Sequence, residues 1–319
     1  MKAIVIREFG NVGQLKVDHV PPLEAGPGEV TIDVAYAGVG FVDTLLRSGR
    51  FDFVKLPVIP GIEVSGYVRA VGEGVTNLTI GQKVAALLTD FTVQGGGMGG
   101  YGEVARAKAA LTVPLDPRDD LVTAAAIIVN GATAVMAVGS LVPGAKVAIS
   151  GASGGLGQCL IAAAKAAGAA EIIAISSKVT HHKSLIRAGA TRAITADDFG
   201  NLMDDLDAAF DTVGGELRLR LLRRLKTRGR FVLLGNASGM DTALSGDEIW
   251  LRSLQIEGFA TGGLSSLFPD RIAAAARAAL SFNHHSVGEI AVLDLHAAGD
   301  AHLALETRQG PGKFVLRVR

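Results

Sequence analysis

Four glycines stand in the stretch Ser150-Gly151-Ala152-Ser153-Gly154-Gly155-Leu156-Gly157-Gln158, between the apolar run Val147-Ala148-Ile149 and the alanine-rich segment from Leu160 to Ala167. A glycine-rich turn leading from a strand into a helix gathers backbone N–H groups and the positive end of a helix dipole at one point, where phosphate oxygens fit. Aligned on the pattern G-x-G-x-x-G, the hexad runs from Ala152 to Gly157, with alanine in place of the first glycine and Gly151 ahead of it. Gly154 then lets a phosphate approach the backbone, and Gly157 lets the helix pack closely on the strand. The spacing predicts a dinucleotide pyrophosphate held by Ser153, Gly154, Gly155 and Leu156; a tight turn of some other α/β protein is the plainer reading.

The end of the next strand reads Ser176-Ser177-Lys178, followed by His181, His182 and Lys183. An acid at this place would bind a ribose 2′-hydroxyl, but hydroxyls and cations stand here instead. Ser176, Ser177, Lys178 and His181 suit a 2′-phosphate, so NADPH is expected over NADH; the alternative is a solvated polar loop.

Other chemistries lack their residues. Tyr36, Tyr67 and Tyr101 are followed four residues on by Gly40, Val71 and Ala105, so the tyrosine–lysine pair of short-chain reductases is missing. The corner ends in Gly157-Gln158 where a nucleotide-hydrolysing P-loop needs lysine and a hydroxyl. Cys159 is the sole cysteine and is expected to pack inward, while the histidine pairs 181/182 and 284/285 diverge on any regular element. No metal is predicted.

The elements around these residues divide the chain. The 319 residues suffice for about two domains. A composition 49% apolar and 19% charged fits a compact α/β protein. The 31 basic residues balance 31 acidic ones, so nothing draws the chain to nucleic acid or anionic lipid. Short β-rich runs (Lys2 to Ile6, Val30 to Val34, Val64 to Val71, Lys83 to Leu88) fill the first third. From Val147 strands alternate with helices, which predicts a parallel, doubly wound sheet. The expected division is 1–120, then a Rossmann domain 121–262, then a tail 263–319 folding back on the first domain. The start MKAIVIREFG has no secretory pattern, and the uncharged run Leu121 to Ala145 is broken by Asn130, Gly131, Ser140 and Pro143, so a buried helix in a cytoplasmic protein is expected.

An ordered set of weak markers carries a resemblance. It comprises Ala37-Gly38-Val39-Gly40-Phe41-Val42-Asp43 with Arg47-Ser48-Gly49, then Pro60-Gly61-Ile62-Glu63-Val64-Ser65-Gly66, Val71-Gly72-Glu73-Gly74-Val75, and Gly81-Gln82-Lys83-Val84. Gly100-Tyr101-Gly102-Glu103, the glycine corner, Phe210-Asp211-Thr212-Val213-Gly214-Gly215, Gly235-Asn236 and Gly312-Lys313 follow. Nearly end to end, the chain resembles the zinc-free, quinone oxidoreductase-like (zeta-crystallin-like) family of medium-chain dehydrogenases/reductases. The resemblance implies a β-rich GroES-like catalytic domain completed by the tail, a Rossmann domain between, a homodimer through the cofactor domains, and a cofactor lying in the cleft between domains. It implies hydride transfer from NADPH to a quinone or to the β-carbon of an α,β-unsaturated carbonyl compound. Thr133, Val213, Gly235 and Asn236 would lie near the nicotinamide, and Arg308 at the 2′-phosphate. A tailoring enzyme of the same fold and a weakly catalytic NADPH-binding sensor remain alternative readings.

The family often has asparagine at Gly40 and polar residues near Leu45 and Phe51, so an apolar pocket of Gly40, Phe41, Leu45 and Phe51 is expected. Tyr101 and Asn130 are the candidates for delivering a proton, if they face that pocket. Asp43 and Arg47, four residues apart, are expected to form a helix-surface pair. The run Gln94 to Gly100 reads either as a lid over the substrate or as a surface insertion.

Overall fold

The computed structural model describes residues 1–89, 98–200, 205–282, 288–310 and 312–319. Along the chain these form β1 Lys2–Val5, β2 Lys16–His19, β3 Glu29–Val39, α1 Phe41–Arg47, β4 Glu63–Val71, β5 Lys83–Leu87, β6 Val104–Lys108, β7 Thr112–Pro114 and α2 Leu121–Val138. Then follow β8 Lys146–Ser150, α3 Gly155–Ala166, β9 Glu171–Ser176, α4 His182–Ala188, β10 Arg192–Thr195, α5 Ala196–Gly200, β11 Leu206–Asp211, α6 Gly215–Arg223, β12 Leu225–Leu233, α7 Gly246–Leu251 and β13 Gln255–Gly258. The last are α8 Thr261–Leu264, α9 Pro269–Leu280, β14 Ile290–Asp294, α10 Ala298–Glu306 and β15 Lys313–Arg317.

Two compact units result. One holds Met1–Ala132, Thr261–Ser281 and Glu289–Arg319; the other holds Thr133–Ala260 with Phe282 and Gly288. The second unit is built on a six-stranded sheet ordered β10-β9-β8-β11-β12-β13, every pairing parallel. Counted from β8, that order is 3-2-1-4-5-6, the doubly wound Rossmann arrangement, and the strand order reverses between β8 and β11. Val147, Ala148, Ile149 and Ser150 are all buried, as a strand covered on both faces requires.

The first unit centres on a largely antiparallel sheet, β14-β15-β3-β4-β5-β7, with β6 also on β3. Its core gathers Ile32, Val34, Val64, Val84, Tyr101 and Leu316. The chain end closes this sheet: β15 pairs with β3 from Phe314 opposite Val39 to Arg317 opposite Tyr36. Strand β3 runs well past the expected Val34, because Tyr36 and Ala37 have partners in both β4 and β15, and Gly38 and Val39 have partners in β15. Helix α6 ends at Arg223, and β12 begins two residues later. Helix α2 is long and apolar enough to cross a membrane by composition, but 67% of it is buried.

Candidate functional site

The glycine corner joins β8 to α3. Gly151, rather than the first position of the hexad, takes the left-handed backbone, with φ of +61°, and an added Cβ would stand 2.3 Å from Thr212 Oγ1. Ala152 is fully buried, its N–H bonded to the Ile175 carbonyl at 3.0 Å. At Gly157 a Cβ would lie 2.3 Å from the Gly151 carbonyl and 2.6 Å from Ala152 Cα, so the helix crosses the turn at a distance only glycine allows. Gly154 is the N-cap of α3 and gives no side-chain cap, leaving the first-turn amides without a side-chain acceptor. Ser153, Gly155 and Leu156 are half-buried and Gly154 is exposed, which presents those amides at the carboxyl end of the sheet.

The loops after β11 and β12 assemble at the same edge. Buried Asp211 accepts from Ser150 Oγ at 2.7 Å and from the N–H groups of Val213 and Gly214 at 3.0 and 3.1 Å, while Arg218 Nε donates to its other oxygen at 2.7 Å. Arg218 Nη2 continues to the Gly235 carbonyl at 2.7 Å. Ala237 and Ser238 N–H groups donate to the Thr212 and Val213 carbonyls at 3.1 and 2.8 Å. Gly214, at φ +78°, leaves room for Asn236, whose Oδ1 sits 2.0 Å from where a Cβ would be. Val213, Gly235 and Asn236 are thereby brought together with the glycine corner. Sequence reading missed the tie among Ser150, Asp211 and Arg218; its one signal was an aspartate ending an apolar strand.

The end of β9 adds the polar set. Ser176 is buried and its hydroxyl donates to the Lys178 carbonyl at 3.0 Å, whereas Ser177 and Lys178 are exposed. His181 Nδ1 and His182 Nε2 are buried without a hydrogen-bond partner. Partial burial, then the Lys178 and His182 charges, hold the His181 ring below its ordinary value. An orphaned imidazole nitrogen beside lysine and two serines, with no carboxylate from Ser176 to Lys183, matches what a phosphate monoester needs.

In the first unit, Gly40 is the N-cap of α1 at φ −103°, and a Cβ there would meet Val42 Cγ1 at 3.4 Å and Asp43 Oδ2 at 3.5 Å, which is ordinary contact. Phe41 and Leu45 are half-buried and one turn apart on α1, so they share a face. Phe51 stacks on Phe53, ring centroids 5.3 Å apart. Asn130 and Thr133 lie one turn apart on α2, half-buried and buried respectively. Arg308 is exposed beyond α10, at φ +54°. Residues Gln94 to Gly97 of the glycine run fall outside the described residues.

Two expectations need correction. Asp43 and Arg47 do not form a surface pair: both are buried, Asp43 accepting the Gly40 and Gly61 amides and Arg47 pairing with Glu306. Tyr101 does not present an acid to a pocket. It has no exposed surface, its hydroxyl lies 3.4 Å from Asp43 Oδ2 and 3.2 Å from His302 Nε2, and burial pushes its phenol well above the usual value. Beside this group, buried Glu63 pairs with buried Lys313 and accepts the Val129 N–H at 3.2 Å. Cys159 is buried, as expected of packing, and among the described residues no group of three or more His, Cys, Asp or Glu side chains could hold a metal ion.

Comparison with known proteins places this geometry. The alcohol dehydrogenase GroES-like domain model matches residues 26–117, and the zinc-binding dehydrogenase model matches residues 155–278. A probable quinone oxidoreductase of Schizosaccharomyces pombe is 29% identical over 305 residues, 91% of this chain and 89% of that protein. A probable acrylyl-CoA reductase of Escherichia coli is 27% identical over 269 residues, 81% of this chain and 82% of its own. A mycobacterial protein solved in complex with NADPH superposes with a TM-score of 0.88 at 27% identity, covering 99% of this chain and 100% of that one. With a GroES-like sheet, a Rossmann sheet and relatives of this kind, the chain belongs to the quinone oxidoreductase-like medium-chain dehydrogenases/reductases.

Proposed function

We propose that this chain is an NADPH-dependent, zinc-independent oxidoreductase that delivers hydride to a quinone or to the β-carbon of an α,β-unsaturated carbonyl compound. The observation that carries the reading is the corner at the sheet's reversal point: an uncapped helix start, a left-handed Gly151, and Gly157 pressed against the turn. The likeness to a mycobacterial NADPH complex and to relatives named for quinone and acrylyl-CoA reduction supports it. Zinc independence rests on the sequence, in which one cysteine and two diverging histidine pairs offer no clustered thiolate and imidazole ligands.

When bound, such a cofactor supplies hydride chemistry; the chain binds, orients and excludes water. The amides of Ser153, Gly155 and Leu156 hold the pyrophosphate, and Gly154, whose own N–H donates to the Gly151 carbonyl at 3.0 Å, lets it approach the backbone. Ser176, Ser177, Lys178 and His181 take the 2′-phosphate. Thr133, Val213, Gly235 and Asn236 flank the nicotinamide, where Asp211 and Arg218 keep the two loops rigid. Gly40, Phe41, Leu45 and Phe51 form an apolar wall for the acceptor, which suits a flat, weakly polar quinone or enone. With Tyr101 sealed in the interior, protonation of the reduced acceptor falls to solvent, with Asn130 orienting a water. The small-molecule acceptor is the partner; a homodimer and a cytoplasmic setting complete the proposal.

The test is NADPH oxidation, followed by loss of its absorbance, across a panel of quinones and enones. Turnover well above background with at least one acceptor class, and NADPH favoured over NADH, is the expected result. Tight cofactor binding without any turnover would refute the reductase reading.

A further inference from the structure

Helix α1 carries two faces with different chemistry. Phe41 and Leu45 lie one turn apart on one, and Asp43 and Arg47 one turn apart on the other, which is buried. Opposite stand His302 and Glu306, also one turn apart, on α10. Two polar rungs join the helices. In one, Arg47 pairs with Glu306 while its Nε donates to the Gly10 carbonyl at 3.0 Å. In the other, Asp43 reaches His302 through Tyr101: Tyr101 Oη is 3.4 Å from Asp43 Oδ2 and 3.2 Å from His302 Nε2.

Asp43 is the branch point of the second rung. Its Oδ2 accepts the Gly40 N–H at 2.8 Å and its Oδ1 the Gly61 N–H at 3.1 Å. Gly61, at φ +96°, seats the Tyr101 ring where a Cβ would come within 2.5 Å of Cδ1. His302 Nδ1 is buried without a partner. A neutral ring with its hydrogen on Nε2 therefore donates to Tyr101, and Tyr101 donates to the carboxylate, a one-way chain ending at Asp43. A carboxylate with no exposed surface is costly to keep, and the fold keeps this one where it fixes the chain just before α1 and just before β4.

We propose that Asp43 is a positioning residue for the hydride acceptor: held by Tyr101 and His302, it locks Gly40 and Gly61 and so sets where the Phe41 and Leu45 face of α1 meets the substrate. The role rests on the oxidoreductase reading above. The ionisable groups around Asp43 are Arg47 on α1, Glu63 on β4, Lys313 on β15, Tyr101, and His302 and Glu306 on α10. Burial lifts its carboxyl to about 7, the Gly40 and Gly61 amides pulling it down, Glu63 raising it and Lys313 lowering it. Losing the charge as pH falls through that value weakens the grip on both amides.

Asp43→Asn offers one acceptor oxygen where two amides need one each. It should raise the acceptor KM about tenfold, the loss of one buried charge-assisted hydrogen bond, while the NADPH dissociation constant, read by nicotinamide fluorescence, stays within about twofold. Tyr101→Phe removes a single oxygen and serves should the first variant not fold. It should raise KM about threefold and move the pH inflection of acceptor kcat/KM upward, since the carboxylate loses a donor. Independently of turnover, ¹⁵N-glycine labelling should show the Gly40 and Gly61 amide shifts titrating together near pH 7 in the parent protein and not moving with pH in Asp43→Asn. Unchanged acceptor KM and pH profile in an active protein overturn the proposal. So does a parallel loss of acceptor and NADPH affinity, which marks a merely structural role. Titrating amides in a protein that binds NADPH yet turns over no acceptor overturn the oxidoreductase reading, and the acceptor-positioning role with it.

Discussion

Polar groups are organised differently in the two units. In the parallel-sheet unit, backbone amides at the start of α3 face outward, and most of the residues shaping the corner lie between Ser150 and Gln158. In the β-rich unit, buried side chains meet from far apart in the sequence: Tyr101 is 58 residues from Asp43 and 201 from His302, and Lys313 is 250 from Glu63. A site made of backbone needs only the right local conformation. A site made of converging side chains needs the whole unit closed, so its members fail together.

The largest test of that contrast is Lys313→Met, which strands Glu63 as an uncompensated buried charge. It should destabilise the protein by about 3–5 kcal/mol in urea unfolding, and Glu63→Gln on top should restore most of the loss. If the double variant is no better than the single one, the pair is not what joins β15 to β4. Next, Gly157→Ala forces a methyl into the Gly151 carbonyl and Ala152 backbone, for a cost of about 1–3 kcal/mol and loss of NADPH binding. Retained binding would mean the turn yields easily and is not a shaped cradle.

A pH series sharpens the buried network itself. Asp43 titrates at about 7 against an ordinary 3.8, so folding takes up a proton between those values and stability falls as pH rises through the window. His302, held to about 3 by burial and by Arg47 against an ordinary 6.5, does the reverse: its contribution is lost as pH falls through that range. Between about pH 4 and 6.5 the two slopes oppose each other. Asp43→Asn should therefore gain stability with rising pH, relative to the parent, by about 1.4 kcal/mol per pH unit, and His302→Gln should lose a similar amount. Equal slopes in both variants would contradict the assignment.

On the cofactor side, Lys178→Ala should weaken NADPH about tenfold, about 1.4 kcal/mol, and leave NADH unchanged. Equal weakening of both would remove the 2′-phosphate from this loop. The smallest effect belongs to Gly40→Ala, where φ is negative and the added methyl meets only ordinary contacts: less than about 0.5 kcal/mol in stability. A large loss there would show that glycine is structurally required, not simply a gap in the pocket wall.

Much of the parallel-sheet unit was legible beforehand. Its strands are short apolar runs separated by helices, and Gly154 and Gly157 were assigned their places from spacing alone. The hexad's first position is Ala152, and the left-handed turn falls on Gly151 just ahead of it. The β-rich unit was read less well. Strand β3 was cut short because its outer half, Ala35 to Val39, looks like loop until β15 arrives from the chain end to pair with it. Asp43 and Arg47 looked like a solvent-facing pair because four-residue spacing is all a sequence shows, and the partners that bury them lie on α10 and beyond. Tyr101 looked like an acid for the same reason.

Local steric rules reach a few residues along the chain, and within that reach the sequence determined a strand, a phosphate-sized turn, a helix and a loop of hydroxyls and cations suited to a second phosphate. Which polar groups lose water together depends on closure of the sheet by β15 and the docking of α10. The tertiary structure alone therefore decided that Asp43, Tyr101 and His302 form one buried chain, because desolvation is a property of the assembled neighbourhood rather than of any residue's place in the sequence.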